Sequence, residues 1–303
     1  MKSNPVLLCA HSKKIELGTD SGFPAMSVPR FRFLVMRHLR TFGGILGYIA
    51  IVMALYRVLP TWLISDERYV NSIIIYIVIS VLFLVIVYLK GVDSLEYFRR
   101  PRLGAASITA MAIAVMFVLP EFIGEQNQMV PMEYAIPGVI FLLGIGISEE
   151  IFSRGLVFGM LRNYGERKAI IFSSAIFGLL HINVYVGDNW DLWAAYDHVF
   201  SAGSWGFLAC AIMIATRSIW FVAVFHALTD WSIVFGIEPP ASDDTAPVEV
   251  YSLFDNLTLP LFQLVYYVPL ALLILRVNRG GWPKWMEKIA LKWKLVVPVS
   301  ALD

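Results

Sequence analysis

Charge is what this chain has least of. Of its 303 residues only 16% are Asp, Glu, Lys or Arg while 58% are hydrophobic, and mean hydropathy is +0.69. A soluble domain carries about a quarter charged residues and about 45–50% apolar ones. A soluble globular fold is therefore excluded, and the composition is that of an all-α, polytopic membrane protein. Cysteine is nearly absent. Cys9 stands in a polar tail and Cys210 in an apolar run, so neither a disulfide framework nor a cysteine metal site can be built. Neither cysteine has a histidine at informative spacing. The net charge of +1 by itself argues nothing about nucleic acid, since the charges are sorted by side rather than clustered, and no basic-aromatic stripe marks a nucleic-acid partner. No internal repeat, Gly-rich phosphate loop or nucleotide fingerprint is found. No apolar stretch stands directly behind a short basic start, so residues 1–40 read as a cytoplasmic tail rather than a cleavable signal.

What is there is a series of apolar runs. Read as spanning helices of about 20 residues, they number eight, near residues 42–60, 71–89, 104–122, 135–160, 169–186, 200–216, 218–236 and 257–276. The fourth is longer than a straight crossing needs and is expected to tilt or project. The sixth and seventh are separated only by Arg217. With the N-terminus inside, 21 of the 24 Lys and Arg fall on one side, and the opposite loops are acidic with only Arg68 against them. That sorting places both termini in the cytoplasm. The expected organisation is a tail (1–40), an eight-helix membrane domain (41–276) and an interfacial tail (277–303). Within Gly281–Val299, Trp285, Ile289 and Trp293 recur every four residues beside Lys284, Lys288 and Lys292. This is the pattern of an amphipathic helix lying among lipid headgroups. The acidic, proline-containing loop Ile237–Asn256 is expected outside. The aromatic segment Tyr185–Phe200 reads as an interfacial belt or as a lining for substrate entry.

Few ionisable groups remain inside the spans: Glu149, Glu150 and Arg154 on the fourth, His181 on the fifth, His226 and Asp230 on the seventh. Such groups are costly in hydrocarbon unless paired or facing water. On a helix Glu150 and Arg154 are i,i+4 neighbours that neutralise each other. Glu149 is rotated about 100° away and has no local partner. Taken alone, the three charges read equally as a salt-bridge knot between helices. Depth is the informative comparison. Glu149 lies 13 residues from Arg162, His181 lies 13 from Lys168, and Asp230 lies 13 from Arg217. Each is thus about 20 Å along its helix from the inner edge. His226 is one turn lower on the face of Asp230. Independent core histidines have no reason to agree in depth. A carboxylate beside an imidazole can hold and deprotonate a water, and a second histidine with a polar neighbour can stabilise the oxyanion that forms when the water attacks a carbonyl. Alternatively, two histidines and a carboxylate make a Zn²⁺ ligand set with an open position.

Glu149-Glu150-x-x-x-Arg154, Phe177-x-x-x-His181 and His226-x-x-x-Asp230, in this order and on separate spans, resemble the three motifs of the CAAX-protease and bacteriocin-processing (CPBP, or Abi) family of intramembrane proteases. The resemblance covers about residues 140–235. It implies that Glu149 is the catalytic base, His181 its partner in activating water, and His226 with Asp230 the oxyanion-stabilising pair. Glu150 and Arg154 would be a supporting ion pair, with Phe177 preceding His181 in its motif. One position departs from the pattern. Family members with an oxyanion role carry Asn where Asp230 stands, and an ionised Asp cannot donate to an oxyanion. Asp230 must then be protonated, orient His226, or help bind a metal. The family is described both as zinc metalloproteases and as metal-free glutamate proteases. No cofactor, or a zinc held by Glu149, His181, His226 and Asp230, is therefore implied.

The expected substrate is a membrane-anchored or lipidated protein or peptide: a prenylated CAAX terminus, a bacteriocin leader or a sorting tail. Two rival functions use the same cluster. One is a non-catalytic membrane scaffold or immunity protein with a packed polar core. The other is a proton-coupled transporter with Glu149 and His181 as a relay; no pair of Gly/Pro-interrupted spans supports it.

Overall fold

The computed structural model of the chain describes residues 28–58, 69–123, 130–185, 191–236 and 253–292. Residues 1–27 of the expected tail, Arg68, Trp190, residues 237–252 of the acidic loop and Trp293 lie outside the described residues. Two compact units are formed, Met1–Gly43 and Gly44–Asp303. Of the first, residues 28–43 are described, and they are helical.

The described residues are helical and contain no strand, only an isolated bridge between Phe98 and Ser218. In chain order the long helices are α1 (Val28–Val58), α2 (Val70–Lys90), α3 (Ala105–Ile123) and α4 (Met132–Glu150). The last continues through a π-helical segment (Ile151–Val157) and α5 (Phe158–Leu161) to Tyr164. Then come α6 (Glu166–Leu180), α7 (Leu192–Thr216), α8 (Ile219–Thr229), α9 (Ser232–Phe235), α10 (Leu253–Gly280) and α11 (Lys284–Lys292).

Among the described residues six helices are long and apolar enough to cross a membrane. The fifth and seventh expected spans are shorter. The fifth is α6 followed by a 3-10 turn (His181–Tyr185), and the seventh is α8 followed by α9. Irregular backbone at membrane depth is tolerated where it lines a cavity. The breaks after Leu180 and Thr229 occur at residues that do so, His181 and Asp230. The sixth span begins earlier than expected, at Leu192, where the Asp191 side chain accepts from the amides of Trp193 and Ala194. It ends at Arg217, whose left-handed φ of 58° turns the chain into α8, capped by Ser218.

α7 is the centre of the bundle. It packs against α3, α6, α8 and α10, and from Leu208 to Ile214 no residue is more than 1% exposed. Outward-facing side chains such as Val81, Leu89, Val115, Phe262 and Val265 are exposed and apolar, as a lipid-facing surface requires. Small residues set the closest approaches between helices. A Cβ at Gly146 on α4 would stand 2.3 Å from the Ala223 carbonyl of α8, and one at Gly178 on α6 would stand 2.4 Å from the Val199 carbonyl of α7. The first contact joins two motif-bearing helices, and the second seats the third of them on α7.

On the side of the α2–α3 turn, Glu96 pairs with Arg162 and, at 3.0 Å, with Arg217. Tyr97 lies 1% exposed beneath both guanidinium groups. Burial pushes the Tyr97 phenol up to about 12. This knot ties the end of the α4–α5 segment to the α7–α8 turn. On α11, Trp285, Ile289, Lys284, Lys288 and Lys292 are all exposed, and Trp282 ahead of it donates to the Ala105 carbonyl (2.9 Å) and to Thr109 Oγ1 (2.8 Å) at the start of α3.

Candidate active site

Glu149, Glu150, Arg154, His181 and Asp230 sit at or beside places where a helix departs from regular α geometry, whereas Phe177 and His226 lie inside α6 and α8. Glu149 and Glu150 close α4 just before the π-helical segment, a widened turn that is frequent at functional sites. His181 opens the 3-10 turn after α6, and Asp230 follows the last residue of α8.

The widened turn buries Arg154 (1% exposed) against Glu150 (0%). Arg154 Nη1 donates to Glu150 Oε1 at 3.0 Å and Nη2 to the Gly206 carbonyl at 3.2 Å. Its guanidinium lies 4.3 Å over the Phe177 ring and 5.3 Å over Trp205, so two aromatic rings cover the cation. Glu150 Oε1 takes a second donor, His226 Nδ1, at 3.0 Å. Because a carboxylate only accepts, this bond puts a proton on Nδ1 and aims Nε2 at the other two acids. Nε2 stands 3.5 Å from Asp230 Oδ2 and 3.9 Å from Glu149 Oε2. Trp205 packs on the ring, with centroids 4.4 Å apart.

His181 is oriented separately. Its Nδ1 donates to the Phe177 carbonyl at 2.8 Å and leaves Nε2 as the acceptor of the neutral ring. Phe177 holds it edge-on at 4.8 Å. Glu149, with 30% of its side chain exposed, and His181 share a cavity of about 320 Å³ rather than a hydrogen bond. The other walls of that cavity are mainly apolar, from Val52, Met53, Ile79, Phe152 and Leu180. A second cavity of about 220 Å³ adjoins it across Phe177 and His181, and His226 and Asp230 open onto this one.

The structure therefore gathers Glu149, Glu150, Arg154, Phe177, His226 and Asp230 into one contact network and sets His181 at the boundary of its two cavities. The alternative zinc set is not assembled as ligands: among the described residues no group of three or more His, Cys, Asp or Glu side chains is arranged to hold a metal ion. One further histidine joins the site. His198 on α7 lies against His181, ring centroids 4.6 Å apart, and its Nδ1 bonds the Tyr185 hydroxyl at 3.1 Å. It was hidden because the apolar run of α7 starts at Phe200, whereas the helix starts at Leu192. The bond from Glu150 to His226 has no local signal either, since the two residues are 76 positions apart.

Residues 131–232 match the model of a protein family described as type II CAAX prenyl endopeptidase Rce1-like. The matched stretch runs from the start of α4 to the start of α9 and contains all the motif residues. No curated protein and no solved structure matches the chain.

Proposed function

We propose that this integral membrane protein hydrolyses a peptide bond in a membrane-associated, lipidated substrate, using a water activated by Glu149 and His181; the match of residues 131–232 to the type II CAAX prenyl endopeptidase family model supports this reading. The observation that carries this reading is the placement of a partly exposed carboxylate and an imidazole acceptor on one cavity, beside a histidine pinned by a buried acid.

In the proposed reaction Glu149 takes a proton from the water as its oxygen attacks the scissile carbonyl, with His181 Nε2 aligning the water. The tetrahedral oxyanion is met by the His226 ring, protonated on Nε2 as well as on Nδ1. Asp230, 3.5 Å from Nε2, offsets the charge of that ring and orients it instead of donating. Glu149 then returns its proton to the leaving amine, which restores the carboxylate. Glu150 and Arg154 hold His226 and keep the helix neutral. Both chain ends face the cytoplasm in this arrangement, as the sorting of Lys and Arg requires, and α11 lies at the lipid surface on that side.

The test is cleavage of an isoprenylated CAAX peptide by purified protein in detergent. Glu149→Gln and His181→Ala are each expected to abolish product while melting as cooperatively as wild type. Full activity in either variant sinks the assignment.

A further inference from the structure

The second cavity is not explained by water activation. Glu149 does not open onto it, and its walls differ in kind from those of the first: His198, Ser201, Thr229, Asp230 and Tyr267 replace the aliphatic side chains. The two chambers meet at His181, beside the groups that act on the scissile bond. An extended substrate lying across that junction has one side in an apolar chamber and the other in a polar one.

His198, among the groups lining the polar chamber, has unspent hydrogen-bonding capacity. The Tyr185 hydroxyl engages Nδ1 at 3.1 Å and stands nearly perpendicular to the ring, with the interplanar angle at 89°. With Tyr185 donating, the neutral ring carries its proton on Nε2, a donor without a partner among the described residues. The close approach of α6 to α7 at Gly178 fixes the ring against His181, so the donor is held rather than free to swing. Asp230, the one acid in the chamber, is committed to His226 Nε2.

We propose that the second cavity receives the carboxy-terminal, departing side of the substrate, and that His198 is a specificity-determining residue that donates to the substrate's free terminal carboxylate. This rests on the endopeptidase reading of the site. A charge-assisted hydrogen bond of this kind amounts to about a tenfold preference for carboxylate over an uncharged end.

The experiment compares an isoprenylated, fluorophore-labelled CAAX peptide with its carboxy-terminal amide twin. Binding is read by anisotropy on Glu149→Gln protein, so the result does not depend on turnover; cleavage is read on wild type. The carboxylate peptide is expected to bind about tenfold tighter, and the preference is expected to vanish in Glu149→Gln/His198→Phe, where the ring shape stays but the donor is gone. Binding of the amide twin should not change. Equal binding of the two peptides to Glu149→Gln protein overturns the proposal, as does a His198→Phe loss that falls equally on both. A wild-type protein that binds with the expected preference yet cuts neither peptide sinks the hydrolytic reading and leaves the carboxylate site standing.

Discussion

Gly146→Ala is the sharpest perturbation of the site that touches none of its reacting groups. An added Cβ would sit 2.3 Å from the Ala223 carbonyl oxygen and 3.1 Å from the Ala227 amide nitrogen. Both are backbone atoms and cannot rotate away. Ordinary carbon contacts begin near 3.4 Å, so α4 and α8 must part by about 1 Å. Glu150 lies one turn beyond Gly146 on α4, and His226 lies three residues beyond Ala223 on α8. The separation therefore lands on the 3.0 Å bond between Glu150 and His226. Stretched to about 4 Å, that contact is no longer a hydrogen bond. Overpacking costs about 1–3 kcal/mol, and a displacement of about 1 Å in a catalytic group costs about a hundredfold in rate. The assay is kcat on an isoprenylated peptide beside a detergent melt. Gly47→Ala, on α1 with nothing within 4 Å of its new Cβ, serves as control and should leave both unchanged. A Gly146→Ala enzyme with wild-type kcat would refute the claim that helix approach sets the position of His226.

Two further outcomes follow from the charge pairs. Arg154→Met removes a cation that is 1% exposed and strands Glu150, so the melt should show a loss of about 3–5 kcal/mol; a loss under about 1 kcal/mol would mean that Glu150 was never held by it. Glu96 gives a pH signature. Burial raises its carboxyl, but the bond to Arg162 and the charges of Arg162 and Arg217 outweigh this and hold it below its ordinary 4.5. A carboxyl lowered in the folded state adds stability that is present above 4.5 and lost as pH falls through the folded value. Melting temperature should thus drop more steeply below about pH 4.5 in wild type than in Glu96→Gln. Because Glu96 is partly exposed, the difference should be modest and should shrink with added salt; parallel curves would contradict the pairing.

Hydropathy was enough to find the membrane class and most helices, because lipid leaves helices few alternatives and each apolar run is long. It located the fifth and seventh spans but not their breaks, for a physical reason. α6 and α8 stop at Leu180 and Thr229 although the apolar run continues, since the residues that follow line cavities and their backbone need not be helical. Periodicity cannot register such a stop. Matched depth brought Glu149, His181 and Asp230 to one level because rise per residue is a local property. It could not say which acid touches which histidine: that depends on the rotation of α4 against α8 and on how closely Gly146 lets them approach. His198 escaped for a related reason, being polar at the end of a helix that continues beyond its apolar run.

Adjacent carboxylates on one helix invite the assumption of a shared task, and the geometry argues otherwise. Glu150 points into the bundle, is fully enclosed, and spends one oxygen on two donors, Arg154 and His226. A carboxylate so placed cannot reach a substrate; what it does is fix the tautomer and direction of a ring 76 residues away. Glu149, about 100° around the same helix, keeps 30% of its side chain open to a cavity and stands 3.9 Å from Nε2 of that ring. Interchanging their roles would require α4 to turn by a quarter, which the Gly146 contact forbids. The exposure of Glu149 to a cavity and the burial of Glu150 against Arg154 and His226 are therefore consequences of one packing decision. The i,i+4 pair with Arg154, readable in the sequence, is the half of that decision that local spacing records.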